Sequence, residues 1–355
     1  MAESKFGCAV FGAGWVSTEH IAAYQQNPHC EVVAVGSRRI ESARRVAAEC
    51  GLSCKTTTSF DELLADPAVQ IISVTTPNDS HAELGIRALE AGKHLVMEKP
   101  IAVTREDADR LVTAAKRSPG KTIVSFVLRW NPLFNIIHAQ LADGAVGRIF
   151  YAEVDYFHAI GPWYGQFAWN IKKSVGGNAL LSAGCHAVDG MLYFVGDEVV
   201  EVSAYSSRSA QEAFGPYEYD PTSVTICKFK GGAVGKVTCS LEANAPYMFN
   251  ILLAGDKGTI RNNQYYGDKC LGTFGHPEIG QGQTGWATWP TILPDSGDVK
   301  HHPFFGEINH LVDCILADIE PMTSIPRSKH VHDICFASEE SARTGKSVRI
   351  GQSGC

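Results

Sequence analysis

Apolar positions recur in two different rhythms along this chain. In the first third, short apolar runs alternate with stretches of helical period. Phe6 to Phe11 is apolar and leads into Gly12-Ala13-Gly14; Val16 to Gln26 then has helical spacing. Glu31 to Val35 is β-branched, and Arg39 to Cys50 has a polar-faced helical pattern. Ile71 to Val74, His94 to Met97 and Thr122 to Val127 read as buried strands, with helices over Ser80 to Ala91 and Arg105 to Arg117 between them. Gly92 supplies a helix stop and Pro100 ends the strand before it. Strands alternating with helices of this length predict a parallel sheet wrapped by right-handed crossovers.

The rhythm changes after about Arg129. Ile149 to Phe157, Val199 to Ser206, Ser223 to Phe229, Val234 to Ser240, Phe249 to Leu253 and Gly258 to Ile260 read as strands with few helices among them. Thr225, Cys227 and Phe229 alternate with Ile226, Lys228 and Lys230, and Gly231-Gly232 joins this strand to the next as a hairpin. The pattern predicts a large, mostly antiparallel open sheet in an α+β unit. Phe304 to Ala317 and Lys329 to Thr344 read as helices, and Asn262 to His302 as a long loop. The fold class is therefore α/β: a dinucleotide-binding domain over residues 1–127 and an α+β domain over 128–355, whose last helix is free to pack back on the first.

A length of 355 residues suits two domains, and 45% hydrophobic with 19% charged residues is ordinary globular composition. No apolar run reaches the ~18 residues that span a bilayer. The net charge of -7 offers no basic face for nucleic acid. Eleven scattered cysteines include no CxxC pair, and Met1 to Lys5 contains no apolar signal core, so a reducing cytoplasm is the expected location.

The chemistry begins at the first turn. Gly12-x-Gly14 lies where a strand gives way to a helix, so the backbone can approach a pyrophosphate and free helix N–H groups can meet it. Ser17 stands where such motifs carry a third glycine, and is small enough for helix to pack on strand. The second strand ends in Gly36-Ser37-Arg38-Arg39, with no carboxylate until Glu41. A serine and two guanidinium groups suit a 2′-phosphate, which favours NADP over NAD; the bland alternative is that the arginines face solvent.

Glu98-Lys99-Pro100 ends a buried strand at the carboxyl edge of the sheet, where open α/β sheets bind ligands. Later, in Gly176-Gly177-Asn178 through Asp189, Ser182, His186 and Asp189 have the i, i+4, i+7 spacing of one helix face. The aromatic-rich run Phe157 to Trp169 holds His158 and Trp163 and is the best candidate for a sugar-contacting loop. His301-His302, Glu307-x-x-His310 and His330-x-His332 form no complete metal pattern, so no metal is expected there; His301 and His302 are read as a loop reaching the pocket or a subunit contact.

These motifs, in this order, resemble the glucose-fructose oxidoreductase / inositol dehydrogenase / rhizopine catabolism (Gfo/Idh/MocA) family over nearly the whole chain. The resemblance rests on Gly12-x-Gly14 with His20, Thr76-Pro77-Asn78 with His81, Glu98-Lys99-Pro100, Arg129, the Gly-Gly…Gly-x-His-x-x-Asp stretch ending at Asp189, and Pro303-Phe304…Glu307-Ile308. It implies a nicotinamide cofactor, a sugar, polyol or glycoside substrate, and a homodimer or homotetramer built through the large sheet. It assigns catalysis to Lys99 and His186. It places Thr76, Pro77, Asn78, His81, Glu98, Lys99 and Arg129 along the cofactor, beside Gly12, Gly14, Trp15 and Val16 of the glycine turn and the Ser37, Arg38 and Arg39 read above for the 2′-phosphate. Lys99, His158, Trp163, Ser182 and His186 are assigned to substrate.

One departure matters: many dehydrogenases of the family carry aspartate where this chain has Ser182, four residues before His186. Serine can share a hydrogen bond but brings no charge. The implied activity is a dehydrogenase or reductase acting on a CH–OH group. The alternatives are a glycoside-cleaving enzyme that retains its cofactor, and a non-catalytic cofactor-binding regulator.

Overall fold

A computed structural model describes residues 5–267, 286–295 and 302–351. The chain divides into two compact units, residues 1–127 with 303–332, and residues 128–302 with 333–355.

The first unit is built on a six-stranded sheet of order β3-β2-β1-β4-β5-β6. Its strands are β1 (Phe6–Phe11), β2 (Cys30–Gly36), β3 (Lys55–Thr57), β4 (Ile71–Val74), β5 (His94–Met97) and β6 (Thr122–Val124). Every neighbouring pair runs parallel. β4 and most of β1 and β5 are buried, as strands covered on both faces must be. The covering helices are α1 (Trp15–Gln26), α2 (Ile40–Glu49), α3 (Phe60–Ala65), α4 (His81–Glu90) and α5 (Arg105–Arg117). Short β3 and α3 have no long periodic pattern. Their local signal is Ser59 with Glu62, since the Ser59 hydroxyl accepts the Glu62 N–H as a helix N-cap.

Residues 303–332 join this sheet through β6. Val124 N–H donates to the Thr323 carbonyl at 2.8 Å, and the Thr323 hydroxyl returns a bond to the Val124 carbonyl at 3.0 Å. The Ile101 N–H donates to His332 Nε2 at 3.0 Å.

The second unit holds a nine-stranded sheet of order β14-β13-β12-β11-β7-β10-β9-β8-β15. Its strands are β7 (Ile149–Phe157), β8 (Val199–Ser207), β9 (Thr222–Phe229), β10 (Val234–Ser240), β11 (Met248–Gly255), β12 (Gly258–Arg261), β13 (Gln264–Gly267), β14 (Ala287–Thr288) and β15 (Val348–Arg349). β10 pairs with β7 in parallel; the other described pairs are antiparallel. The β9 alternation is real: Thr225, Cys227 and Phe229 are buried while Ile226 is exposed. Helices α6 (Pro132–Ala142), α7 (Phe167–Asn170), α8 (Lys173–Gly176) and α9 (Cys185–Val195) lie before β8. Phe134 of α6 meets Phe194 of α9 and Phe249 of β11 at ring separations of 4.8 and 5.7 Å. Of the last two helices, α10 (Phe304–Leu316) belongs to the first unit, and α11 (Ile325–Thr344) starts in the first and ends in the second.

The stretch Asn262 to His302 is not wholly the loop its composition suggests. Asn262, at φ 52°, turns β12 into β13, and Tyr265 buries its ring and donates its hydroxyl to the Ala145 carbonyl at 2.9 Å. Residues 268–285 and 296–301, including His301, lie outside the described residues.

Candidate functional site

In the first unit the site grows from the end of β1. Gly12 has φ +131°, and a Cβ there would collide with the Thr75 carbonyl and hydroxyl, so no other residue fits. Gly14 is the N-cap of α1, exposed, with open space where a side chain would point. The first turn of α1 has neither an acidic residue nor a side-chain cap. An uncapped helix start with free N–H groups and no competing carboxylate suits a pyrophosphate. Ser17 takes the third-glycine position without disturbing it: it is buried, and its hydroxyl donates to the Gly14 carbonyl at 2.5 Å.

Trp15 and Val16, both partly exposed, occupy that first turn. Ser37 is held by its N–H on the Thr57 carbonyl, while Arg38 and Arg39 are exposed and have no ion-pair partner among the described residues. Arg45 went unnoticed in the sequence. It reaches from α2 to the Ala13 carbonyl at 3.1 Å, which brings a guanidinium to the glycine turn.

The ends of β4 and β5 supply the other half of this edge. The Thr76 hydroxyl accepts from Ser80 at 2.7 Å, Asn78 is buried, and Pro77 caps the short turn Asn78–Ser80. His81 is buried with Nδ1 2.7 Å from the Pro100 carbonyl and Nε2 2.8 Å from the Thr76 carbonyl. It ties the two strand ends together; burial lowers its ionisation range against the pull of those carbonyls. The Lys99–Pro100 bond is cis. Lys99 is partly exposed, and Glu98 beside it bonds His20 Nε2 at 2.9 Å. Burial pushes the Glu98 carboxyl up, but the His20 bond and the Lys99 ammonium outweigh it and hold the group below the ordinary carboxylate range.

In the second unit, the helix carrying His186 does not start as a regular α-helix. Gly176 leaves room for the Asn170 carbonyl, Gly177 turns at φ +77°, and the Asn178 side chain accepts the Leu181 N–H at 2.8 Å. Leu180–Gly184 then winds as a π turn before α9 begins. That wider turn breaks the regular i, i+4 spacing expected at Ser182, and π turns of this kind cluster at functional sites. Ser182 donates to Asn170 Oδ1 at 2.5 Å, and Asn170 is itself fixed by the Tyr219 hydroxyl on its carbonyl at 2.7 Å.

His186 is buried and stacks on His302, with ring centroids 5.6 Å apart and planes at 26°. The adjacent-histidine motif showed that an imidazole was available but not where it would lie. One turn on, Asp189 receives Arg129 through two bonds, Nε at 2.8 Å and an Nη at 2.6 Å, and the guanidinium lies 4.6 Å from the Tyr193 ring. Burial opposes the Arg129 charge, but the Asp189 carboxylate more than restores it.

His158 sits among tyrosines, 5.3 Å from both Tyr164 and Tyr247 by ring centroid and 3.3 Å from the Tyr156 hydroxyl. Burial pushes the Tyr164 phenol up to about 12 and raises Tyr156 and Tyr247 also, so these hydroxyls stay protonated and can donate. Trp163 is 67% exposed, edge-on to Phe214. Lys173 is paired with Glu339.

Comparison with known proteins agrees with this architecture. Residues 6–126 match the family described as "Oxidoreductase family, NAD-binding Rossmann fold", and residues 134–261 the "GFO/IDH/MocA C-terminal domain". The chain is 28% identical to a levoglucosan dehydrogenase of Pseudarthrobacter phenanthrenivorans over 302 residues, 75% of each chain. It is 24% identical to a scyllo-inositol 2-dehydrogenase (NAD(+)) of Bacillus subtilis, over 98% of this chain and 97% of the relative. Among solved structures, an oxidoreductase domain protein of Kribbella flavida superposes with a TM-score of 0.86 at 25% identity, covering 98% of this chain and all of that one.

Proposed function

Because the chain belongs to the Gfo/Idh/MocA oxidoreductase family, we propose that it moves a hydride between a nicotinamide dinucleotide and a secondary hydroxyl or keto group of a sugar, polyol or glycoside. One observation carries this reading. The uncapped, acid-free helix start at Gly14 and the Glu98-Lys99-Pro100 segment lie at the carboxyl ends of β1 and β5, in one parallel sheet on either side of β4. Dinucleotide and proton-transfer group are thereby offered at the same edge. The relatives' names, levoglucosan and inositol dehydrogenases, support the substrate class.

Gly12, Gly14, Trp15 and Val16 would hold the pyrophosphate, Ser37, Arg38 and Arg39 the adenosine ribose, and Thr76, Pro77 and Asn78 the nicotinamide end. When bound, the nicotinamide supplies two-electron hydride chemistry. Lys99 exchanges the proton of the reacting hydroxyl, and Glu98 holds a carboxylate beside it. His186 is assigned to a substrate hydroxyl, with His158 and the tyrosines around it as further sugar contacts.

The two arginines after Ser37, exposed and without an ion-pair partner among the described residues, favour NADP. The name of the Bacillus relative favours NAD for the second reading. The exposed outward side chains Tyr205, Ile226, Val234 and Tyr266 lie on one face of the nine-stranded sheet by strand register, and we assign that face to a subunit contact.

The test is a panel of levoglucosan, myo- and scyllo-inositol, glucosides and sugar acids, followed at the nicotinamide absorbance with both cofactors. Turnover of at least one polyol or sugar, and tighter binding of NADP+ than NAD+, are expected. No turnover across the panel would refute the dehydrogenase reading, and equal or tighter NAD+ binding the cofactor preference.

A further inference from the structure

Behind Glu98 lies a line of buried polar groups that no step of the proposed reaction uses. His20 Nε2 is 2.9 Å from Glu98 Oε1; His20 Nδ1 is 3.1 Å from the Ser73 hydroxyl; the Ser73 hydroxyl is 2.7 Å from the Tyr24 hydroxyl. His20, Ser73 and Tyr24 have no exposed surface, and Phe304 covers the imidazole at 5.2 Å.

Three bonds joining four groups leave few ways to place the protons. If His20 were an imidazolium, both ring nitrogens would donate. Ser73 would then accept from His20, and either its own hydroxyl proton or that of Tyr24 would have no acceptor among the described residues. With His20 neutral and its proton on Nε2, every group is satisfied: Tyr24 donates to Ser73, Ser73 to Nδ1, and Nε2 to the carboxylate. A buried hydroxyl left without an acceptor is costly, which selects the second arrangement.

We propose that His20, at the end of this one-way chain of donors, is a positioning residue that keeps Glu98 ionised and aimed beside Lys99. The proposal rests on the reading of Lys99 given above. The other titratable groups facing Glu98 are Lys99 on its own segment, His81 of α4 and Glu307 of α10. Glu307 is wholly buried and faces the Ser125 hydroxyl. Burial and then the Glu98 charge push the Glu307 carboxyl up, so a second carboxylate beside Glu98 is disfavoured. The donor chain gives the charge to Glu98 and leaves the proton on Glu307.

The test reads Glu98 directly. Protein labelled with 13C at glutamate carboxyls is titrated by NMR, with Glu98→Gln to assign the signal. The Glu98 midpoint should move up by about one pH unit or more in His20→Leu, a tenfold change in proton affinity. It should stay near wild type in His20→Gln, whose amide can still donate. In the wild type at pH 7.5, 15N–1H correlation should find His20 protonated on Nε2 alone. With a polyol from the panel, the acid limb of kcat/KM should shift upward in His20→Leu and not in His20→Gln.

An unmoved Glu98 midpoint in a folded His20→Leu protein would overturn the proposal, as would an imidazolium or an Nδ1-protonated ring. These spectra need no turnover, so they fail independently of the Lys99 assignment. A shifted Glu98 signal with full activity in Lys99→Met would sink the Lys99 reading alone.

Discussion

Replacing Arg129 with methionine removes the guanidinium that meets both oxygens of Asp189, one turn beyond His186. The two side chains are 16% and 3% exposed, so water cannot take over for the lost partner. Breaking a buried pair by deleting one member costs about 3–5 kcal/mol, because the remaining charge stays desolvated. The lost contact with the Tyr193 ring adds about 1 kcal/mol. For a unit of this size each kcal/mol lowers Tm by roughly 2–4 °C, so calorimetry should find a drop of roughly 8–24 °C at pH 8. Burial raises the Asp189 carboxyl, so protonation relieves the orphaned group as pH falls. The deficit should therefore shrink toward pH 5, and Asp189→Asn added to Arg129→Met should recover part of it. A loss below about 1 kcal/mol at pH 8, or one that does not change with pH, would refute the buried-pair argument.

Gly12→Ala should lower Tm by several degrees and abolish NAD(P) binding in a calorimetric titration, since the new methyl strikes Thr75 and φ +131° costs about 1–3 kcal/mol in itself. Tight cofactor binding by that variant would contradict the assigned turn. Glu307→Gln should match or exceed wild-type stability at pH 8: burial and then the Glu98 charge raise this carboxyl, so stability present at acid pH is lost as pH rises. The variant's advantage should vanish toward pH 4.5; a marked loss at pH 8 would mean that the carboxylate is needed ionised. Burial depresses His81, His94 and His310, so the stability they carry is full above the unfolded histidine value of about 6.5 and is lost as pH falls below it. Tm should fall between pH 7 and 5, with a smaller fall in His94→Gln; a flat or rising profile would be the contrary result.

Much of the architecture was legible because it is written locally. β9 runs over Thr222–Phe229 and β10 over Val234–Ser240, as the alternation in the first and the Gly231-Gly232 between them predict. The glycine turn at residues 12–14 is equally local. Short elements escaped: three-residue β3 has no period to read, although Ser59 and Glu62 mark the helix after it. β13 hid behind Asn262-Asn263 in a stretch whose composition says loop. The remaining misses depend on distant partners. No spacing rule places Arg45 on the Ala13 carbonyl, His302 on the His186 ring, or Thr323 against β6. The π turn at Leu180–Gly184 is likewise invisible to the 3.6-residue count that put Ser182 and His186 at i and i+4 of one regular helix face.

The central claim is that Lys99 carries the proton of the reacting hydroxyl. Steady-state turnover of Lys99→Met with a polyol of the panel, alongside its NAD(P) dissociation constant, tests it most directly. The account predicts a fall in kcat of about 10²–10⁴-fold with cofactor affinity within roughly threefold of wild type. A variant that binds the cofactor normally and turns over within about threefold of wild type would contradict it.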